Sequence, residues 1–425
     1  MWPQTYTPVA GNLGLSALVA AIPIFVLVYT LAIKRLPSWK SSLIGLASAE
    51  LLAVLVYRMP LPHSLAAITY GAAFGLFPIG WIVYWAIVLY RVTVVTGKFE
   101  VVKDSIGSLT HDTHLQALLI AFAFGAFIEG ACGFGTPVAV AAAMLTGLGF
   151  SPFYAASICL LANTSPVAFG SIGIPLITLS GITGLPLHSL SANVGRMCAP
   201  VSLFIPAYLV LVMGGWRALK SVLPAVVACG VAFSGTQLFV SNVLGPSLTD
   251  ILASVAAMIT LVVLFKFWKP ASVSANAGQI PAASAMPRHS FGELMIAWAP
   301  YLLLVIFVLL WGIEAIKTGL NSLTFTIHWP ALHNLVLRTP PVVAAPSPYA
   351  ASYTLNWLSV SGTACMFAAL LSTLVLRMPP KQTVRLLFST GKQLLIPLIT
   401  IAAVLALAFL MNYSGATATL GLAFA

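Results

Sequence analysis

The sequence predicts an all-α, polytopic integral membrane protein of about ten transmembrane helices, with broken or re-entrant helices around a ligand site. Composition is the first reason: 60% of the 425 residues are hydrophobic, 6% are charged, and the mean hydropathy is +1.03. Soluble chains carry about a quarter charged residues. The second reason is that apolar runs of about 20 residues, the length that crosses a bilayer, recur along the chain. The third is that glycines and prolines interrupt two of these runs beside polar residues.

The formal net charge of +11 does not indicate nucleic-acid binding. The basic residues are scattered between apolar spans, where they act as orientation signals. The N-terminus has no basic region or small-residue cleavage site, so we expect the first span to remain as an anchor. We expect neither an enzyme nor a metal or other cofactor, because the cysteines lie in apolar stretches without a CxxC pair and no GxxxxGK[ST] motif occurs. The cysteines are Cys132, Cys159, Cys198, Cys229 and Cys365.

Residues 1–114 form the first predicted group of membrane helices. Spans are expected at residues 12–33, with a kink at Pro23, and at residues 42–57 and 70–90. A polar loop is expected at residues 91–114. No Lys or Arg precedes the first span, whereas the first and third loops contain three each. This alternation predicts an N-terminus outside the cell and cytoplasmic first and third loops.

Residues 115–213 form the predicted core, and its first break lies at FIEGACGFGTP. Glu129 is a single acid within an apolar run, and Gly130, Gly133 and Gly135 follow it. A glycine weakens a helix by up to about 1 kcal/mol relative to alanine. Thr136 can cap a new helix, and the proline that follows it, Pro137, suits the first position of that helix. We therefore expect one helix to end near Glu129 and another to begin after a short extended segment. The backbone N–H and C=O groups of that segment must find hydrogen-bond partners in the protein or in a water-filled cavity.

A second break of the same kind lies at NTSPVAFGSIGIP, within residues 153–183. A polar run precedes Pro166, and further glycines loosen the segment that follows. Two such breaks in adjacent segments are typical of a transporter, whose binding site lies near the middle of the bilayer. The predicted core ends with a span at residues 187–213.

Residues 214–425 are expected to hold further membrane helices and a truncated second repeat. The expected spans are residues 222–240, 251–268, 294–313, 357–376 and 394–412. A flexible Ala/Ser/Pro-rich loop is expected after the second of these spans, and a long loop at residues 317–353. The basic cluster that begins at Arg377 predicts a cytoplasmic loop. The run ALAFLMNYSGA can be laid on AFAFGAFIEGA with five matches, which suggests an internal repeat.

Glu129 is the predicted proton-coupling residue. An ionised side chain at that depth is costly, and burial favours the protonated form, which suits a proton carrier. The alternative is a structural acid that nearby backbone satisfies at the break. The candidate ligand-binding residues are Gly130, Gly133, Gly135, Thr136, Asn163, Thr164, Ser165 and Arg196. Their alternatives are close helix packing for the glycines, capping for the polar run and a snorkelling side chain for Arg196.

The two breaks carry a resemblance to a known family. FIEGACGFGTPVAVAAAMLTGLGF, followed by FYAASICLLANTSPVAFGSIGIPL, resembles the bacterial L-lactate permease family, which includes the glycolate permeases. The resemblance extends to GNLGLSALVAAIPI, YGAAFGLFPIGWI, GGWRALKSVLPAVV and NYSGATATLGLA, so it covers nearly the whole chain. It implies proton-coupled uptake of small 2-hydroxymonocarboxylates, chiefly lactate and glycolate, across the bacterial inner membrane.

The sequence departs from the family in two ways. Family members continue well past the position equivalent to Ala425, and Glu50 stands in a span expected to be apolar. Three alternatives stay open at this point: a sodium-coupled carboxylate transporter, a non-transporting fragment, and a membrane-embedded enzyme or respiratory subunit. The last would need paired His ligands or a catalytic constellation within the spans, and the sequence contains neither. Substrate stereochemistry and oligomeric state are left open.

Overall fold

The structure of the protein is a computed structural model, and helices make up most of it. It describes residues 1–107, 109–110, 112–131, 133, 136–268 and 289–424. The expected Ala/Ser/Pro-rich loop and Gly135 lie outside this part of the chain. Over the described residues, the helical content confirms the predicted all-α class.

Eight described helical segments are long and apolar enough to cross a membrane, or nine if one sharply bent pair counts as a span. The eight are Leu13–Ile33, Leu61–Val95, Thr113–Ala131, Leu187–Ser221, Leu223–Val243, Pro246–Phe267, Phe291–Trp311 and Pro380–Ser414. The bent pair is Pro152–Ala162 with Val167–Thr183. Ser38–Leu55 and the shorter Ser361–Val375 occupy two further predicted spans. The chain is therefore a multi-pass membrane protein.

The helices of the first part of the chain, up to the end of the bent pair, are numbered in chain order. They are α1 (Leu13–Ala20), α2 (Ile22–Val28), α3 (Ser38–Leu55), α4 (Leu61–Phe74), α5 (Trp81–Val95), α6 (Lys98–Gly107), α7 (Thr113–Gln116), α8 (Gly125–Ala131), α9 (Thr136–Gly147), α10 (Pro152–Ala162) and α11 (Gly170–Thr183). π-helical turns at Tyr29–Ile33, Gly75–Gly80 and Ala117–Phe124 continue three of these helices.

The later helices follow in the same numbering. They are α12 (Leu187–Ser221), α13 (Leu223–Val243), α14 (Thr249–Phe267), α15 (Phe291–Gly312), α16 (Glu314–Asn321), α17 (Ser361–Val375), α18 (Pro380–Ser414) and α19 (Ala416–Phe424). Short 3₁₀ turns at Val167–Phe169 and Pro246–Leu248 precede α11 and α14.

Four helical segments differ clearly from their predicted bounds, and one of them is α18, which begins at Pro380 instead of residue 394. The span expected at residues 70–90 begins at Leu61, and Phe77 interrupts it with an extended backbone (φ −142°, ψ 126°) because Pro78 follows. The expected polar loop at residues 91–114 contains the helix α6. Finally, α12 continues past residue 213, with a non-helical Gly215 at φ +67° near its end.

The chain divides into two compact units, of which the first comprises Met1–Tyr84, Thr318–Val360 and Phe388–Ala425. Its helices approach closely through small residues. A Cβ at Gly71 of α4 would lie 2.6 Å from the backbone oxygen of Leu405 and 2.7 Å from Cα of Ala406, both in α18. Glycine at such a crossing lets two helix backbones pack in direct contact.

The first unit also contains short strands that the sequence analysis did not predict. They are β1 (Trp2–Pro3), β2 (Phe325–His328), β3 (Val336–Arg338), β4 (Ser347–Pro348) and β5 (Ser352–Leu355). β3 pairs with β1 in parallel and with β4 in antiparallel, and β2 pairs with β5 in antiparallel. Four of the five lie in or beside the expected loop at residues 317–353, which is therefore an ordered layer.

The second unit comprises Trp85–Lys317 and Ser361–Leu387, and it contains both predicted breaks. Every residue from 115 to 131 is buried. Within this stretch α8 packs against α9, α11 and α14. The ring of Phe127 contacts Trp298 in a tilted arrangement and Tyr301 edge to face, at centroid distances of 5.4 and 5.0 Å. This packing holds Glu129 in the core of the unit.

Candidate functional site

The first predicted break is present where the sequence places it. α8 ends at Ala131 and α9 begins at Thr136, one residue before the predicted first helical position. Between them, Gly133 adopts φ +62°, a left-handed conformation that favours glycine, and its N–H donates to the carbonyl of Ile128 over 3.3 Å. The interruption inside an apolar segment is therefore real and lies just after Glu129.

The second predicted break is a sharp bend. α10 ends at Ala162, a turn and a 3₁₀ segment follow, and the chain bends by 70° before it continues in α11. At the start of α11, Ser171, Ile172 and Gly173 all have positive φ, at 48°, 61° and 78°. A branched residue such as Ile172 rarely adopts this conformation, and strained backbone of this kind clusters at functional sites.

The two breaks meet at Glu129. The side chain of Asn163, from the second break, lies within hydrogen-bonding range of the Glu129 carboxyl group. A Cβ at Gly170 would collide with Glu129 Oε1, and a Cβ at Gly133 would lie 2.7 Å from Cβ of Ser171. The structure thus brings together three residues that the sequence analysis singled out, Glu129, Gly133 and Asn163.

A second buried acid, Asp250, lies beside Glu129, and the sequence analysis did not identify it. Asp250 is 1% exposed and stands in the first turn of α14. A Cβ at Gly130 would lie 2.9 Å from Cβ of Asp250, so the residue next to Glu129 packs directly against this acid. One feature of the sequence could have indicated this acid: the Gly245-Pro246 pair shortly precedes it, at the edge of an apolar run.

Gln237 of α13 connects this acid to the second break. Its Nε2 donates to the backbone carbonyl of Ser165 over 3.3 Å, and its side chain lies within hydrogen-bonding range of Asp250. Even so, neither carboxyl oxygen of Asp250 has a hydrogen-bond partner within the described ranges of the chain. Gln237 is itself fully buried. Four elements, α8, α13, α14 and the turn after α10, therefore contribute polar side chains to one cluster.

The cluster is rich in acceptors. Five of its buried side-chain oxygens have no hydrogen-bond partner among the residues that the structure describes: Glu129 Oε2, Asp250 Oδ1, Asp250 Oδ2, Gln237 Oε1 and Ser165 Oγ. Among the described residues, the ion pairs involve neither carboxyl group. Buried polar atoms are normally paired, so a group of unpaired oxygens marks a place where a proton, a cation, water or a ligand binds.

The other predicted site residues are distributed differently. Gly130 packs on Asp250 and Ser165 is buried, whereas Thr164 is exposed. Arg196 is exposed on α12, where its Nε–H donates to Asn242 Oδ1 over 3.0 Å, so the structure does not bring it to Glu129. Thr136 is the first residue of α9.

Glu50 lies outside the cluster. It is half-buried in α3 and accepts a hydrogen bond from Ser64 Oγ over 2.7 Å. This contact gives Oε1 of the carboxyl group a partner within the first compact unit, while the buried Oε2 has none among the described residues.

An apolar cavity of about 350 Å³ lies near the cluster but is a different place. It is bounded by side chains such as Phe127, Met258 and Trp298, and neither acid lines it. A small anion would lose its hydration there without gaining polar partners. The chemistry for such a ligand lies at the acids and the two breaks.

The chain matches known proteins over its whole length. The family model for L-lactate permease matches residues 16–425. The L-lactate permease of Bacillus subtilis (strain 168) is 42% identical, and the match covers all of this chain and 79% of that protein. The L-lactate permease and the glycolate permease of Escherichia coli (strain K12) are 40% and 39% identical, with the same coverage. No solved structure matches the chain.

These matches agree with the multi-pass helical architecture and with the resemblance that the two breaks carry. The chain therefore belongs to the L-lactate permease family, a family of membrane transporters rather than enzymes.

Proposed function

We propose that the protein is a secondary active transporter that carries small 2-hydroxymonocarboxylates together with protons across the bacterial inner membrane. L-lactate is the proposed main substrate, with D-lactate and glycolate as further substrates. The observation that carries this proposal is the buried position of Glu129 at the meeting point of two helix breaks. Relatives named L-lactate permease and glycolate permease support the substrate class.

The proposed coupling follows from electrostatics. An anion and an ionised carboxylate in the same apolar site repel each other, and each has lost its hydration. A protonated Glu129 removes that repulsion, so the anion binds well only when Glu129 carries a proton. Substrate and proton then cross together, and little net charge moves.

The proposed substrate site lies between the two breaks. The start of α9 has free backbone N–H groups and the positive end of the helix dipole. Both favour the binding of a carboxylate. Gly130 and Gly133 let the segments around the ligand pack closely, since a Cβ at either would lie within 3 Å of Asp250 or Ser171. Thr136 begins α9 beside them, and Gly135 stays a ligand-binding candidate from the sequence. Asn163, Thr164 and Ser165 are the proposed polar partners of the substrate.

Sodium coupling is the second candidate, because the cluster offers oxygen atoms without nitrogen ligands. Hard cations prefer such a ligand set. The two candidates differ in which gradient drives accumulation, and the same transport assay separates them.

The test uses purified protein in proteoliposomes with radiolabelled L-lactate. An inward proton gradient without sodium should drive accumulation, and a protonophore should abolish it, whereas an inward sodium gradient alone should not drive it. Unlabelled D-lactate and glycolate should compete, while a dicarboxylate of similar size should not. Accumulation that survives the protonophore and requires sodium would contradict proton coupling and favour the sodium-coupled transporter.

A further inference from the structure

Asp250 is the most deeply buried acid of the coupling cluster, and nothing in the transport scheme above uses it. Both of its oxygens lack hydrogen-bond partners among the described residues, and 1% of the residue is exposed. The titratable groups that face it are Glu129 from α8 and Cys198 from α12, and the neighbouring Gln237 is neutral. No described Lys, Arg or His forms an ion pair with it.

Two ionised carboxylates cannot both be stable in this environment. Each charge loses its hydration, and each repels the other, so one proton must remain on the pair. Where two carboxyl groups share a site, one of them typically holds its proton while the other ionises.

The surroundings decide which of the two acids holds that proton. The amide of Asn163 lies within hydrogen-bonding range of Glu129 and can donate to its carboxylate form. Over the part of the chain that the structure describes, neither carboxyl oxygen of Asp250 has a hydrogen-bond donor. Gln237 Nε2 is engaged by the Ser165 carbonyl, which leaves Oε1 of the same amide as an acceptor without a donor.

We propose that Asp250 is a second proton-binding site, which keeps its proton through the transport cycle while Glu129 exchanges one. The hydroxyl of a protonated Asp250 supplies the donor that Gln237 Oε1 lacks. With a retained proton on Asp250, the site is neutral when Glu129 is protonated and singly negative when it is not. One substrate anion then binds together with one proton.

The role assigned to Glu129 in this inference rests on the proposed function, but the protonation of Asp250 is measurable without transport. Infrared spectroscopy on the full chain in lipid detects the carbonyl band of a protonated carboxyl group. We expect such a band in the wild type at neutral pH and its persistence at mildly alkaline pH. The band should also persist in Glu129→Gln and disappear in Asp250→Asn.

Two further samples keep the test decisive if Asp250→Asn fails to fold. Wild-type protein grown with isotope-labelled aspartate should show the persistent band at a shifted frequency, which assigns it to aspartate. Asp250→Glu should retain a protonated-carboxyl band that the aspartate label no longer shifts. Absence of the band from the wild type, or its persistence in a folded Asp250→Asn variant, would overturn the inference.

A comparison of sodium with potassium tests whether the site binds a metal cation instead of a proton. Replacing potassium by sodium should leave the band unchanged. If sodium removes the band, a metal cation displaces the proton, and the second proton site does not exist. Failure of proton-driven transport with an intact band would instead count against the proposed function alone.

Discussion

At the scale of single residues, the site depends on the absence of a side chain next to an acid. Gly170 has no room for a Cβ because Glu129 Oε1 occupies that position. The side chain of Asn163 lies within hydrogen-bonding range of the same carboxyl group. Two positions of the second break therefore determine where the proposed proton carrier lies.

Gly170→Ala should displace the Glu129 carboxyl group and lower proton-driven uptake by about tenfold to a hundredfold, since small misplacements of a working group cost about that much. The matched control is Gly147→Ala, because a Cβ at Gly147 meets nothing within 4 Å. Uptake is normalised to the amount of folded protein in the membrane. Equal uptake by the two variants would show that the position of Glu129 does not matter.

At the scale of elements, the helix that delivers Glu129 begins at a well-formed cap. Asp112 Oδ1 accepts hydrogen bonds from the N–H groups of His114 (2.9 Å) and Leu115 (3.0 Å) at the start of α7. Burial acts to raise the pKa of Asp112, but these hydrogen bonds and that from the His114 side chain outweigh it, so the pKa lies below its ordinary value.

Asp112→Ala should destabilise the protein by about 1 kcal/mol, as loss of a helix cap does, while Asp112→Asn should retain most of the stability because asparagine also caps. A lowered folded-state pKa means that the cap contributes fully above the unfolded-state pKa of aspartate and is lost as pH falls through the folded-state value. Thermal unfolding of the three proteins at neutral and acidic pH measures both effects. A wild-type stability that rises on acidification relative to Asp112→Ala would contradict this sign.

At the scale of the whole molecule, the sequence predicted what depends on composition and on local chemistry. Runs of apolar residues identified the membrane helices, and Gly133 and Pro166 identified the two breaks, because glycine and proline act on their own backbone. The predicted orientation of the loops and the predicted division at residues 1–114, 115–213 and 214–425 stay predictions.

What the sequence could not predict depends on contacts between distant segments. Asp250 stands at the start of an apolar run, where an acid reads as an ordinary helix-end residue, and only the packing of Gly130 against it reveals the second carboxyl. The same holds for the strands near residues 317–353, since β1 pairs with β3 across more than 300 residues of chain. The position of Arg196 also depends on packing. Its span is apolar, which suggested a buried side chain near Glu129, but the face of α12 that carries Arg196 is exposed.

The central claim is that Glu129 carries the coupled proton, and Glu129→Gln tests it most directly because glutamine keeps the shape and cannot titrate. The measurement compares proton-driven accumulation with exchange of labelled for unlabelled L-lactate in proteoliposomes. Glu50→Gln is the matched control, an acid of another helix with its own partner, Ser64. We expect Glu129→Gln to lose accumulation and keep exchange, and Glu50→Gln to keep both. Accumulation by Glu129→Gln at the wild-type rate would contradict the account and leave Glu129 as a structural acid at a helix break.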